Sequence, residues 1–327
     1  MSRLFTIGFI VVVVLGGWYF LTHFDIQGLD SLSVEPRTGG SEGGSQPGEG
    51  LPDEPPVPQK QSTIRVATMN LGPLDRNKLA KPHVAARLAD LVRRFDVVAV
   101  QDVRAPNQGL LVEFVELINA EGRFYDFATP PSVGRDPVEQ YSAFLFDRAT
   151  VQIDRSTVYV VEDPAGRFRR EPLVASFRAR GPDAAEAFTF TLVNVHTDPA
   201  QAATELDLLD DAFRAVAGDG RGEDDVIVLG DLGADDRHLG ELGNVANISC
   251  AISGLPSTTR GTRLVDNILF DRRASTEFIG RSGAVDLIRE FNLSMREAVE
   301  VSDHLPVWAE FSVFEGGQAG HVARTPP

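Results

Sequence analysis

The sequence predicts an α/β domain, with a β core covered by helices. Short runs rich in Val, Ile, Phe and Thr recur from about Thr63 to Phe314. Several of these runs are apolar on both faces, as strands buried in a layered fold are. Helical patterns separate some of them.

The β-rich runs are Ile64–Asn70, Asp96–Gln101, Ser142–Phe146, Phe188–Val195, Val226–Leu229, Leu264–Phe270 and Pro306–Val313. Between the first two, His83–Phe95 carries Val84, Leu88, Leu91, Val92 and Phe95 at helical spacing. A second helix is predicted from Asp198 as N-cap and Pro199 at the first helical position. It runs along a stripe of Ala202, Leu206, Leu209 and Phe213 and ends at Gly218. No strong internal repeat is present.

The flanks differ from this region. Leu4–Leu21 is an uncharged apolar run with Trp18 and Tyr19 near one end, close to the roughly 17 residues at which a helix begins to span a bilayer. A cleaved signal peptide is the rival reading, but no small-x-small cleavage site follows. Arg3 before the run and Asp25, Asp30 and Glu35 after it favour an extracytoplasmic body. The expected organisation is a transmembrane anchor at 1–24, a Gly/Pro/Ser/acidic linker at 25–61, a folded domain at 62–314 and an unstructured tail at 315–327.

Lys and Arg total 31 against 47 Asp and Glu in 327 residues, a formal net charge of -16. Such a surface repels polyanions, which argues against a broad electrostatic nucleic-acid binder. It leaves room for an acidic cleft neutralised by divalent cations. The single cysteine, Cys250, allows no intramolecular disulfide and reads as a small buried hydrophobe.

Several predicted strands end in a polar residue suited to metal or phosphate. They lead into Asn70, Asp102, His196 and Asp231, and Ser302-Asp303-His304 enters the last run. One Asp after an apolar strand is usually a turn residue or cap, and one His is usually structural. Five such residues at successive strand boundaries point to a site assembled from distant segments.

The stretches IRVATMNLG, RRFDVVAVQDVR, VEQYSAFLFDR, RREPLVASF, NVHTDPAQAATEL, VIVLGDLGAD, LVDNILF and SDHLPV resemble the endonuclease/exonuclease/phosphatase superfamily, in family order. RREP and Glu139-Gln-Tyr141 make the chain similar to the deoxyribonuclease I branch. The resemblance implies a layered β-sandwich flanked by helices and a phosphodiesterase acting on DNA.

It further implies that His196 and His304 flank the scissile phosphate, one acting on the attacking water and the other on the leaving oxygen. Glu139 would orient His196 and Asp266 would orient His304. Asp102 would hold Mg²⁺, Mn²⁺ or Ca²⁺ with Asn70 and Asp303 close by, and Asp231 would bind metal or activate water. Arg104, Arg170 and Tyr141 would contact DNA, although the two arginines on their own read as solvated surface charges. No motif implies a protein partner.

Two positions depart from the family pattern. Asp102 stands where the family carries Glu, one methylene longer. The family's Gly-Asp-x-Asn reads Gly230-Asp231-Leu232-Gly233, which removes an amide donor. Two rival readings stay open: a pseudoenzyme that binds without turnover, and a phosphoesterase for a lipid or small phosphate. Asp235, Asp236 and Asn267 are nearby by motif, but none has the right position for the lost amide on sequence grounds alone.

Overall fold

The computed structural model describes residues 55–58, 61–133 and 140–318. The Leu4–Leu21 segment, most of the expected linker and Glu139 lie outside the described residues. Among the described residues no helix is long and apolar enough to cross a membrane.

The elements follow in the order β1 (Thr63–Leu74), α1 (Arg76–Leu79), α2 (Pro82–Val92), β2 (Val97–Val103), α3 (Gly109–Asn119), β3 (Tyr125–Ala128), β4 (Tyr141–Asp147), β5 (Val151–Val160) and β6 (Leu173–Ala179). After these come β7 (Thr189–His196), α4 (Ala202–Leu206), α5 (Leu209–Ala217), β8 (Val226–Asp231), β9 (Ile248–Cys250) and β10 (Asp266–Asp271). The chain continues through β11 (Phe278–Ala284), α6 (Leu287–Phe291), α7 (Met295–Val301) and β12 (Val307–Ser312). Two six-stranded sheets result, ordered β11-β12-β1-β2-β4-β3 and β5-β6-β7-β8-β10-β9. In the middle of each, one parallel pair, β1 with β2 and β7 with β8, sits among antiparallel neighbours.

Alternation along the strands sorts side chains into layers. Ile64, Val66, Val97 and Ala99 of the first sheet meet Phe177, Phe190, Leu192 and Ile227 of the second. Phe188 stacks on Phe190 and Phe311, with centroids 4.8 and 5.8 Å away, which joins the sheets through aromatic contact. Ala67, Met69, Val98 and Val100 face the other way, onto Val84, Leu88 and Leu91 of α2 and Leu111 and Phe114 of α3. Val193, Val195 and Val228 likewise cover Leu209, Phe213 and Val216 of α5. The expected layered sandwich is the observed one.

Differences from expectation have local causes. The helix expected from Asp198 to Gly218 is two helices, because Asp198 Oδ1 accepts the Ala200 backbone N–H in a turn and the chain breaks again at Asp207 and Leu208. The expected tail begins with a 3-10 turn, Glu315–Gly317, fastened by the Glu315 N–H to the Glu186 carbonyl. The end of the expected linker also packs: Pro55 is buried and its carbonyl accepts from Arg180. Cys250 is half-buried against the layer under α5.

Register brings strand ends together. Asn70 pairs with Gln101 across β1 and β2, while Asp231 is level with both His196 on β7 and Asp266 on β10. Gly230 permits the second alignment. Its φ is +152°, and a Cβ there would stand 1.9 Å from the Val195 carbonyl oxygen. Gly230→Ala is therefore expected to lower stability by more than about 3 kcal/mol, read as a lower melting temperature or loss of soluble protein.

Candidate active site

The C-terminal ends of the two central parallel pairs lie at one pole of the sandwich. Asn70 from the first sheet donates its Nδ2 to Asp231 Oδ2 of the second at 2.8 Å. Asn70 Oδ1 accepts the Gly72 N–H, which fixes the amide's orientation. Asp231 Oδ1 accepts the Gly233 N–H, leaving Oδ2 facing the cleft. Around that oxygen stand two imidazoles, with His196 Nε2 and His304 Nε2 each 3.9 Å from it.

The two histidines occupy opposite electrostatic settings. His304 Nδ1 faces both oxygens of Asp266, at 3.0 and 2.9 Å. Burial works against the imidazolium, but the hydrogen bond and charge of Asp266, helped by Asp231 and Asp303, raise His304 to about 9. Asp266 is itself buried, which pushes its carboxyl up, and Ser257 Oγ donates to it at 2.7 Å. His196 is lowered to about 4 by burial and by the Arg170 guanidinium, against the pull of Asp231 and Asp102. At neutral pH one imidazole is neutral and the other charged.

The structure therefore brings together Asn70, His196, Asp231, Asp266 and His304, as the sequence predicts. The other expected residues stand differently. Asp102 has φ +60°, an uncommon left-handed conformation for a residue with a side chain. Its Oδ1 accepts from Arg104 Nε at 2.7 Å and Gln140 Nε2 at 2.6 Å, and Oδ2 accepts from Arg104 Nη2 at 3.2 Å. Asp102 is thus paired with Arg104 and linked through Gln140 towards His196, with no direct hydrogen bond to Asp231. Arg170, expected on DNA, donates instead to the carbonyls of His196 and Thr197 at 3.0 Å each, so it clamps the end of β7. Tyr141, also expected on DNA, is buried with its hydroxyl on the Asn107 carbonyl. That places it under the site. Asp303 is exposed beside it, and the Glu139 assignment falls outside the described residues.

Four neighbours escaped the sequence reading. Gln140 reaches Asp102 and stands 3.5 Å from His196 Nδ1; only its place beside Glu139 hinted at this. Ser257 comes from a turn with no signal of its own. Lys78 is lowered to about 8 by burial, although Asp303, Asp102 and Asp75 surround it, and it donates to the Leu71 carbonyl. Arg263, exposed, donates Nη2 to the Gly233 carbonyl at 3.4 Å.

Gly233 itself is explained by space. With φ +64°, a Cβ there would stand 2.9 Å from Thr197 Oγ1 and 3.1 Å from Ala202 Cβ. The nearby Asn267, Asp235 and Asp236 are each engaged elsewhere. Asn267 is buried on the backbone of Ile252, Asp235 pairs with His238, and Asp236 receives Ser253.

Ligand atoms of Asp231, Asp266 and His304 lie within 4.8 Å of one another. Asp266 and His304 are spent on each other, so the hard oxygen donors facing the cleft are those of Asp231, with the Asp303 carboxylate exposed nearby. Oxygen donors of this kind fit a magnesium-type cation better than zinc.

Residues 67–304 match the profile of the Endonuclease/Exonuclease/phosphatase family. Deoxyribonuclease-1-like 2 of Homo sapiens is 27% identical over 278 residues, covering 75% of this chain and 91% of that protein. Deoxyribonuclease-1-like 1 of Cricetulus griseus is 29% identical over 263 residues, covering 76% of this chain and 84% of its own length. The crystal structure of D. rerio TDP2 complexed with single strand DNA product superposes with a TM-score of 0.53 at 16% identity, covering 77% of this chain and 99% of that one. With this fold, the paired imidazoles on Asp231 and a match spanning most of its length, the chain belongs to the endonuclease/exonuclease/phosphatase family, on its deoxyribonuclease I-like branch.

Proposed function

We propose that this chain is a divalent-metal-dependent phosphodiesterase that hydrolyses DNA. The observation that carries the reading is the pair of imidazoles facing one oxygen of Asp231, each at 3.9 Å. Two relatives across most of the chain are named deoxyribonucleases, which favours DNA over a lipid or small phosphate.

A phosphodiester lying over Asp231 meets a different histidine on either side. Neutral His196 accepts a proton from the attacking water as its oxygen bonds to phosphorus. Protonated His304 gives its proton to the oxygen that leaves as the P–O bond breaks. Asp266 holds His304 in the charged state and in place, and Asn70 keeps Asp231 turned to the cleft. A hard divalent cation held by Asp231, with Asp303 nearby, would neutralise the phosphate charge. Arg104, half exposed on Asp102, and Arg263 beside Gly233 offer guanidinium donors at the rim.

Full-length protein is expected to nick plasmid DNA with Mg²⁺, Mn²⁺ or Ca²⁺ and to stop in chelator. His196→Ala and His304→Ala should each cost about 10²–10⁴ in rate. Folded protein that nicks under none of these metals would sink the nuclease reading and leave a binding module or another phosphoester substrate.

The pH profile should be bell-shaped. Activity needs neutral His196 and so fails below about 4; it needs protonated His304 and so fails above about 9. Asp266→Asn removes the charge that raises His304, so the alkaline limb should move to lower pH, visible in rate against pH. Arg263→Ala is expected to slow nicking on the order of 10² if its guanidinium replaces the lost amide donor; an unchanged rate assigns that work elsewhere.

A further inference from the structure

At the other pole of the sandwich three carboxylates from separate segments converge. Asp225 precedes β8 of the second sheet, Glu277 precedes β11 of the first, and Glu315 lies in the 3-10 turn after β12. Oxygens of the three stand within 4.8 Å of one another. Asp225 is six residues before Asp231 along β8, about 20 Å at strand rise, so this group is separate from the active site.

Several polar atoms here lack a hydrogen bond. Asp225 and Glu277 are each 1% exposed. Seven buried side-chain N or O atoms among the described residues have no hydrogen-bond partner, and three of them fall in this one place: Asp225 Oδ1, Glu277 Oε2 and Ser275 Oγ. The neighbouring charges that bear on Asp225 are those of Glu277, Glu223 and Glu315, all negative. Burial and this mutual repulsion push Asp225 to about 9 and Glu315 to about 7. The donors present are few: the Gly316 N–H reaches Glu277 Oε1 at 2.5 Å, Thr276 Oγ1 reaches the same oxygen at 3.4 Å, the Thr189 N–H reaches Glu315 Oε2 at 3.3 Å, and the Ser275 hydroxyl lies near enough to ease Asp225. Buried carboxylates this close must either take up protons or share a cation.

We propose that Asp225, Glu277 and Glu315 form a structural site for a divalent cation of the calcium class, which staples the two sheets at the pole away from the catalytic groups. Calcium takes carboxylate and hydroxyl oxygens at about 2.3–2.6 Å, so oxygens on one ion stand up to about 5 Å apart, as these do. It also tolerates irregular sets of protein oxygens, whereas magnesium holds to an octahedron and keeps its waters. Ser275 Oγ, within reach of Asp225, supplies a neutral ligand. The ion would tie β8 to the ends of β11 and β12, beside the aromatic contacts of Phe188 and Phe270 with Phe311.

Thermal melts of the full chain in chelator and in added Ca²⁺, with equilibrium dialysis against ⁴⁵Ca²⁺, test this. Calcium should raise the melting temperature on the order of 5 °C. Glu277→Gln should abolish the shift and lower the bound calcium by one equivalent. It should melt no lower than the parent in chelator, because the amide removes repulsion. Glu315→Gln, at a half-buried position near the end of the fold, should give the same loss where Glu277→Gln fails to fold. Asp231→Asn, at the opposite pole, should keep the shift. A parent indifferent to chelation and stabilised only by acid would mean that protons alone neutralise the cluster, and would overturn the proposal. So would a calcium shift that survives in Glu315→Gln or disappears in Asp231→Asn.

Discussion

The site depends on a buried amide network that fixes how the two sheets lie on each other. Gln101 of the first sheet donates to Asn194 of the second at 2.8 Å and to Thr68 at 3.0 Å. Asn194 returns hydrogen bonds to the carbonyls of Val100 and Ala143. These groups sit in an otherwise apolar interface, where an unmatched amide is costly. Sliding one sheet along the other would strand several donors at once. The aromatic and aliphatic contacts supply most of the burial energy but tolerate small shifts. The amides select one alignment, and in that alignment Asn70 meets Asp231.

From that alignment follows the division of labour between the histidines. Both rings lie at similar depth and at the same distance from Asp231, so burial alone would treat them alike. The difference lies behind them. A buried carboxylate backs His304, whereas an arginine backs His196 across the backbone of its own strand end. One charge of each sign, placed away from the cleft, gives two identical side chains different protonation states.

Much of this was legible in the sequence, and the gaps have a pattern. The seven strands anticipated from apolar runs, β1, β2, β4, β7, β8, β10 and β12, are all interior to their sheets. The four edge strands, β3, β5, β9 and β11, went unread. Edge strands face water on one side, and here they are polar or short: β5 carries Asp154, Arg155 and Ser156, β11 carries Gly280, Arg281 and Ser282, and β9 is three residues long. Leu173–Ala179 is the one interior strand missed. Site residues at strand ends were found because the strands announce them. Ser257, Gln140 and Lys78 were not, since their roles arise from contacts that no local pattern encodes. Tyr141 and Arg170 were placed beside the site, but the directions of their side chains were beyond the sequence.

The packing around Gly233 narrows what that position can hold. Thr197 Oγ1 and Ala202 Cβ occupy the space a side chain at 233 would need, at 2.9 and 3.1 Å from its first carbon. Thr197 is buried and anchored to the strand end that carries His196. Asparagine tolerates the left-handed backbone here better than most residues, yet its first carbon would displace the Thr197 hydroxyl and press on Ala202. A donor for the phosphate is accommodated more easily from the open rim, where Arg263 already stands on the Gly233 carbonyl.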